Sequence, residues 1–247
     1  MKKLLVILLI AALLVAIYFL SGFYGNPISS MLGKSKAEKF VQKNYSDEYK
    51  YEETKYDFKT SKYHHKFRAE NSSDKHFTVS TNFWGKVKYD DYEIMKKGFH
   101  TFIRFEKELR EITDPIIESN FDKSSLTYGF ISSKIENYEG FPLDSKFSLD
   151  AIPKPLSIDL HVQDNDTSYV NLAKQFLKVE DMAIKNNLDL GIYSILITGN
   201  EDATDKSSVH AFYVPYDEWK ESSGSVEELA AYLEEYSIKY DEENENK

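Results

Sequence analysis

The chain of 247 residues contains no cysteine. This absence excludes disulfide bonds, thiolate zinc sites, a cysteine nucleophile and a lipid-modified cysteine anchor. Glycine is scarce, at 10 residues, and the sequence has no phosphate-binding glycine motif, no Gly-x-Ser-x-Gly and no His-Glu-x-x-His. The sequence therefore leaves enzymatic activity uncertain and favours its absence, although the abundant carboxylates leave an unpatterned acid/base pair open.

Positive charge is in the minority, with 31 Lys and Arg against 41 Asp and Glu and a net charge of −10. Nucleic-acid binding needs a clustered cationic surface, whereas the basic residues here alternate with acidic ones. We therefore expect no nucleic-acid partner and no cofactor. Hydrophobic residues make up 41% of the chain, which is enough to form the core of one large domain or two small ones.

An uncharged run from Leu4 to Leu20 follows Lys2 and Lys3 at the amino terminus. About 20 apolar residues cross a bilayer, so residues 1–24 are predicted to form a retained transmembrane signal-anchor that contacts the membrane through residues 4–24. A cleaved signal peptide is the alternative, but bulky aromatic residues occupy the positions where cleavage favours small ones. The positive-inside rule then predicts a single-pass cell-membrane protein with a cytoplasmic N-terminus and an extracytoplasmic body.

The region after a predicted tether at residues 25–34 divides into two parts. Residues 35–122 are predicted to form an α+β domain, in which a helix is followed by a three-stranded antiparallel meander and a long amphipathic helix. Residues 124–241 form the second α+β domain, in the order strand, strand, helix, strand, strand, helix, and residues 242–247 are a charged tail. The predicted fold class is thus α+β, with an N-terminal transmembrane helix and two small domains, each an antiparallel sheet packed by helices.

Three histidines, His64, His65 and His76, lie close together in the predicted meander and raise the question of a metal site. Apolar residues on paired strands must face the same side of the sheet. We therefore expect Phe67 to pair with Val79, which places His65 opposite Thr81. Neighbouring strand residues point to opposite faces, so His64 and His65 diverge, while His76 lies far along the hairpin. We therefore predict no metal ligand among them.

Six residues of the second domain are candidates for binding. Two histidines and an aspartate lie on strands that could be neighbours, "LSIDLHV" and "SVHAFYV". Aromatic residues after the last strand are typical of partner anchors, with core packing or a helix-entry contact as the alternative. The candidates are Asp159, His161, His210, Tyr213, Tyr216 and Trp219. No catalytic residue is assigned.

The segments "GKSKAEKFV" and "NLAKQFLKVEDMAIKNN" followed by "LGIYSILITG", together with the tyrosine-rich meander, resemble the YfjL-like family of bacterial proteins. The resemblance covers essentially the whole chain after the tether. It implies a membrane segment followed by an N-terminal and a C-terminal domain. The family has no assigned activity, so it implies no functional residue.

The sequence leads us to expect a membrane-anchored extracytoplasmic protein that acts as a non-enzymatic binding or modulating module at the bacterial cell envelope. The acidic body favours a protein or peptide partner, and in particular a basic one. One alternative is an envelope hydrolase or metal-dependent enzyme with a site between the two domains. A second alternative is a solute or ion sensor.

Overall fold

The structure, a computed structural model, describes residues 19–45, 48–133, 138–199, 208–222 and 224–245, together with residues 6, 7, 9 and 15. The chain divides into two compact units. The first is formed by Met1–Thr101 and Glu139–Ser145, and the second by Phe102–Tyr138 and Lys146–Lys247. The division falls inside the long helix, whereas the sequence placed it near Ser124.

The first unit contains helices α1 (Pro27–Asn44) and α2 (Tyr92–Lys96) and strands β1 (Tyr49–Asp57), β2 (Lys62–Ala69), β3 (His76–Thr81) and β4 (Val87–Asp90). Helix α3 (Phe99–Asn120) begins in the first unit and continues in the second. The second unit contains strands β5 (Leu126–Ser132), β6 (Leu156–Gln163), β7 (Leu190–Thr198) and β8 (Ser208–Pro215), helices α4 (Tyr169–Lys185), α5 (Tyr216–Glu221) and α6 (Val226–Glu245), and a 3-10 turn at Leu149–Ala151.

The sheet of the first unit has the strand order β1-β2-β3-β4 and is antiparallel throughout. It has four strands where the sequence predicts three. Phe67 pairs with Phe77 rather than with Val79, so the predicted register is wrong by two residues. A shift of two keeps every side chain on its predicted face, because the side-chain period of a strand is two.

Helix α1 begins at Pro27, where the side chain of Asn26 accepts a hydrogen bond of 2.8 Å from the backbone N–H of Ile28. Asparagine at the N-cap and proline at the first helical position are both typical of helix starts. Residues 25–34, predicted as a tether, therefore contain the first turns of this helix. Its buried residues Ala37 and Val41 belong to the aromatic core that the sheet contributes to the unit.

The helix predicted over Tyr92–Asn120 is divided into α2 and α3 by Gly98, whose φ is +99°. Only glycine adopts this conformation without a steric penalty. A Cβ at this position would also lie 2.5 Å from the carbonyl oxygen of Phe141. The break in the helix therefore follows from the backbone conformation of Gly98 and from its close contact with Phe141, 43 positions later. Neither cause can be predicted from the periodicity of the apolar residues.

The sheet of the second unit has the strand order β5-β6-β7-β8. Its outer pairs are antiparallel, but β6 and β7 are parallel, so the prediction of an antiparallel sheet in this domain is wrong. Parallel neighbours require a long crossover connection, and α4 provides it. The element order predicted from the sequence is present, with α5 as an additional short helix after β8.

Strand β6 alternates buried and partly exposed residues along its whole length. The buried side chains Leu156, Ile158, Leu160 and Val162 face the helices, while Asp159 and His161 lie on the opposite face. Helix α4 packs on β7, and α6 packs on both α4 and β8. This arrangement presents the outer surface of α6 to the solvent.

The predicted transmembrane signal-anchor over residues 1–24 is contradicted. No helix among the described residues is both long and apolar enough to cross a membrane. A span needs about 20 apolar residues, whereas α1 carries charges such as Lys34 and Lys36. The prediction of a single-pass cell-membrane location is corrected with it. The membrane contact through residues 4–24 stays a prediction. Residues 1–5, 8, 10–14 and 16–18 of the predicted span lie outside the described residues.

Candidate functional site

The second unit has a surface groove of about 410 Å³ along helix α6, which we call the tyrosine groove. Tyrosines and carboxylates dominate its lining. The lining residues are Glu218, Tyr232, Glu235, Tyr236, Lys239, Tyr240 and Glu243. All but Glu218, which comes from α5, are contributed by α6.

Helix geometry places the three tyrosines on one stripe, because residues four positions apart lie on the same side of a helix. The helix begins where the side chain of Ser225 accepts a hydrogen bond of 3.1 Å from the backbone N–H of Glu228. Leu229, Leu233 and Ser237 are buried on the inner face. The burial of this face fixes the rotation of the helix and turns the tyrosine stripe outward.

The tyrosine rings and hydroxyls are held by neighbouring groups. The ring centroids of Tyr232 and Tyr236 are 6.0 Å apart, and those of Tyr240 and Tyr213 are 6.1 Å apart. The hydroxyl of Tyr232 donates to a carboxylate oxygen of Glu218 at 3.3 Å, and that of Tyr236 donates to the carbonyl oxygen of Tyr213 at 3.1 Å. These bonds preorganise the rings.

The groove is electrically negative. Burial raises the pKa of Tyr232 and of Tyr236, and the nearby carboxylate of Glu218 raises both further. These hydroxyls therefore stay protonated at neutral pH. Glu235 and Glu243 make no ion pair within the described part of the chain, so the lining presents three carboxylates against the single ammonium of Lys239.

The two candidate histidines of the second domain, His161 and His210, have separate partners in the structure. His161 on β6 and His210 on β8 both align with Leu196 of the strand between them. His161 contacts the hydroxyl of Thr198 at 2.9 Å, while His210 contacts a carboxylate oxygen of Asp241 at 3.1 Å. Each imidazole thus has its own hydrogen-bond partner, so the position of neither ring requires a ligand shared by the two.

Asp159 lies on the same face of the sheet as His161. Burial raises the pKa of its carboxyl above the usual range, and a hydrogen bond with the side chain of Ser194 partly opposes that rise. The hydroxyl of Ser194 also accepts a hydrogen bond of 3.0 Å from the backbone N–H of Tyr213. This local network ties β6 to β7 and β8.

The three predicted aromatic anchors have different environments. Trp219 is fully buried and packs against Phe176 and Tyr193, which is the core alternative named above. Tyr216 donates a hydrogen bond of 2.7 Å to the carboxylate of Glu180. Tyr213 is 62% exposed and adjoins the tyrosine groove through its contact with Tyr240. Tyr213 is thus the predicted site residue that lies beside the groove.

The histidines of the first unit also separate. His65 is fully buried on the inner strand β2, where its ring nitrogens contact the hydroxyls of Thr54 at 2.7 Å and Thr81 at 2.9 Å. His64 lies on the opposite face. Among the residues that the structure describes, no group of three or more histidines and carboxylates could hold a metal ion.

His76 has a neighbour that the sequence did not indicate, His100 at the start of α3. Their ring centroids are 3.8 Å apart. Burial and, to a smaller extent, the neighbouring His100 lower the pKa of His76 to about 4. Burial also lowers the pKa of His100. Since 24 positions separate the two residues, no short-range pattern could have predicted the pair.

The two α+β units define the class of protein, and two family models match the chain. The model described as YfjL-like, N-terminal domain matches residues 1–91, and the model described as YfjL-like C-terminal domain matches residues 108–230. The chain belongs to the YfjL-like family, which confirms the resemblance stated from the sequence. No curated protein and no solved structure matches it.

Proposed function

We propose that the protein is a non-enzymatic binding module whose second unit holds a cationic segment of a protein or peptide partner in the tyrosine groove. One observation carries the proposal. The stripe of Tyr232, Tyr236 and Tyr240 coincides with a cluster of carboxylates around a single groove. Tyrosine and carboxylate together are the side chains that recognise lysine or arginine, by cation–π contact and by ion pairing.

The free energies of the individual contacts favour a partner that makes several weak contacts over one that makes a single strong contact. A cation over an exposed aromatic ring contributes about 0.5–1 kcal/mol, and an exposed ion pair contributes about 0.2–1 kcal/mol. Several such contacts are needed to give a useful affinity, so a segment with several basic residues fits the groove better than a single ammonium ion. The net charge of −10 also accelerates encounter with a basic partner.

The two alternatives named from the sequence stay predictions. An envelope hydrolase or metal-dependent enzyme would act through a site between the two domains, and a solute or ion sensor would bind a small ligand. The tyrosine groove is partly open and lies along helix α6, which suits an extended segment of a macromolecule. We therefore place the binding function first.

The proposal is tested by fluorescence anisotropy with the full chain and a labelled peptide of alternating lysine and glycine. We expect binding that weakens as salt is added, because exposed charge pairs are screened. The double variant E235Q/E243Q should weaken binding about fivefold, since two exposed charge pairs contribute on the order of 1 kcal/mol. Y236L, which keeps an apolar side chain but removes the ring, should weaken it about two- to fivefold.

The matched control is E227Q/E234Q, which removes the same charge from the same helix at positions outside the groove lining. This variant should bind the peptide as the unmodified chain does. Equal weakening by both double variants would reduce the interaction to general charge attraction and would contradict the proposal. A peptide of alternating glutamate and glycine should not bind.

A further inference from the structure

The first unit carries a second and chemically different cavity, which we call the aromatic pocket. It has a volume of about 420 Å³, which is within the range of small-molecule sites. Aromatic rings make up its walls, and small polar residues lie among them. The lining residues are Phe19, Ser21, Gly22, Phe23, Tyr56, Phe58, Ser61 and Phe83.

Specific bonds fasten the chain before α1 to the sheet and so build the pocket. The hydroxyl of Tyr56 donates a hydrogen bond of 3.0 Å to the carbonyl oxygen of Gly22. The backbone N–H of Asn26 donates to the hydroxyl of Tyr63 at 2.6 Å. Gly25 has a φ of +77°, and a Cβ there would lie 2.8 Å from the ring of Tyr56. The walls contributed by Phe19 and Phe23 are therefore held against the sheet.

The pocket leaves large apolar side chains in contact with water. Phe19 is 63% exposed, Phe23 is 67% exposed and Phe58 is 56% exposed. Beside it, the ring of Trp84 packs edge-on against Phe83 at 5.2 Å and is 74% exposed. Contiguous exposed apolar surface of this kind marks a binding site, because covering it with an apolar ligand is favourable.

Three lysines are close in sequence to the phenylalanines of the pocket. Lys59 belongs to the turn that carries Phe58, and Lys62 is the first residue of β2 after it. Lys86 follows Phe83 and Trp84 in the connection between β3 and β4. None of these lysines forms an ion pair within the described ranges. The nearby carboxylate of Asp57 accepts hydrogen bonds from the backbone of Lys59 and the hydroxyl of Thr60. Among the residues that the structure describes, no carboxylate lines the pocket.

We propose that the aromatic pocket binds a monomeric anionic amphiphile of the fatty-acid class. The apolar chain would lie among the phenylalanine rings, and the carboxylate would face the three lysines. The occupant is chosen by charge complementarity. A ligand with an apolar chain and a negative head matches both the phenylalanine rings and the lysines. An uncharged or cationic amphiphile matches only the phenylalanine rings.

Trp84 supplies the readout. In the W219F variant of the full chain it is the single tryptophan, because the chain has 2 tryptophans. Laurate, added below its micelle concentration, should shift the emission of Trp84 to shorter wavelength as the ring leaves water. Dodecyltrimethylammonium, with the same chain length and the opposite charge, should bind about tenfold more weakly.

The net charge of −10 makes this comparison decisive, because an adventitious amphiphile would prefer the cationic head. F58S/F83S should abolish the laurate response, and I184S/I238S, which alters exposed apolar residues of the second unit, should leave it unchanged. K59Q/K62Q/K86Q should remove the preference for laurate. Equal binding of the two amphiphiles, or a concentration-dependent dimer that buries Trp84 without ligand, would overturn the proposal.

Discussion

Replacing Trp219 by alanine is expected to lower the free energy of unfolding by about 3–5 kcal/mol, the usual cost of removing a fully buried tryptophan. Its indole is 0% exposed. It packs edge-on against Phe176 at 5.8 Å, Tyr193 at 5.4 Å and Tyr216 at 5.3 Å. Deletion leaves a cavity among rings that belong to three different elements, α4, β7 and α5, so little collapse can fill it. Urea unfolding followed by circular dichroism measures the loss.

The control is W84A, which removes the same side chain from a position that is 74% exposed. This change should alter the free energy of unfolding by less than about 0.5 kcal/mol. W219F should cost less than W219A, because the buried Nε1 of Trp219 makes no hydrogen bond and phenylalanine omits that donor. Similar losses for W84A and W219A would contradict the assignment of Trp219 to the core.

Acid should destabilise the first unit between about pH 6.5 and pH 4. Burial lowers the pKa of His65 to about 4 and lowers that of His76 to about 4. A base whose pKa is depressed by folding contributes its full stability above its unfolded pKa, near 6.5. That contribution is lost as the pH falls towards the folded pKa. For His65 the loss by pH 4.5 is about 2–3 kcal/mol.

The measurement is the slope of unfolding free energy against pH, followed by Trp84 fluorescence in the W219F chain. H65Q removes one proton-binding group, so the slope between pH 6 and pH 5 should fall by about 1 kcal/mol per pH unit. The slope is compared rather than the absolute stability, since H65Q also disturbs the bonds to Thr54 and Thr81. An unchanged slope would show that His65 does not titrate with folding.

Carboxylates also titrate, but they are present in both chains and do not account for a difference between the two slopes. Hydrogen bonds from Lys66 and Arg68 lower the pKa of Glu52, so its contribution is lost only in stronger acid. Burial raises the pKa of Asp91, which gives a term of the opposite sign. H65Q leaves Asp91 in place, so this term is common to the two chains whose slopes are compared. The histidine effect is therefore read above about pH 5.

The meander was predictable because a period of two is a local signal. The alternation of Tyr63, His65 and Phe67 assigned the faces of β2 correctly. The register was not predictable from that signal, since any shift by two residues satisfies it. The actual turn between Ala69 and His76 is fixed by Asp144, whose carboxylate accepts a hydrogen bond from the hydroxyl of Ser72. That residue is 72 positions away in the chain.

The candidate sites show the same division between local and distant signals. Tyr232, Tyr236 and Tyr240 recur every four residues in a predicted helix, so the spacing alone could have indicated a tyrosine stripe. The aromatic pocket could not be predicted in this way, because it joins residues from the chain before α1 to two separate turns. Trp219 was predicted as a possible anchor, but only its packing against Tyr193 identifies it as core.

The parallel pairing of β6 with β7 bears on the order in which the second unit folds. A hairpin such as β7–β8 forms in about 1–10 µs, whereas the β6–β7 ladder must wait for α4 to form and close the crossover. In that interval β7 has an unpaired edge that includes Ile195 and Ile197. Unpaired apolar edges are where folding chains aggregate. During refolding, copies of this chain are thus most prone to aggregate before the β6–β7 ladder has formed.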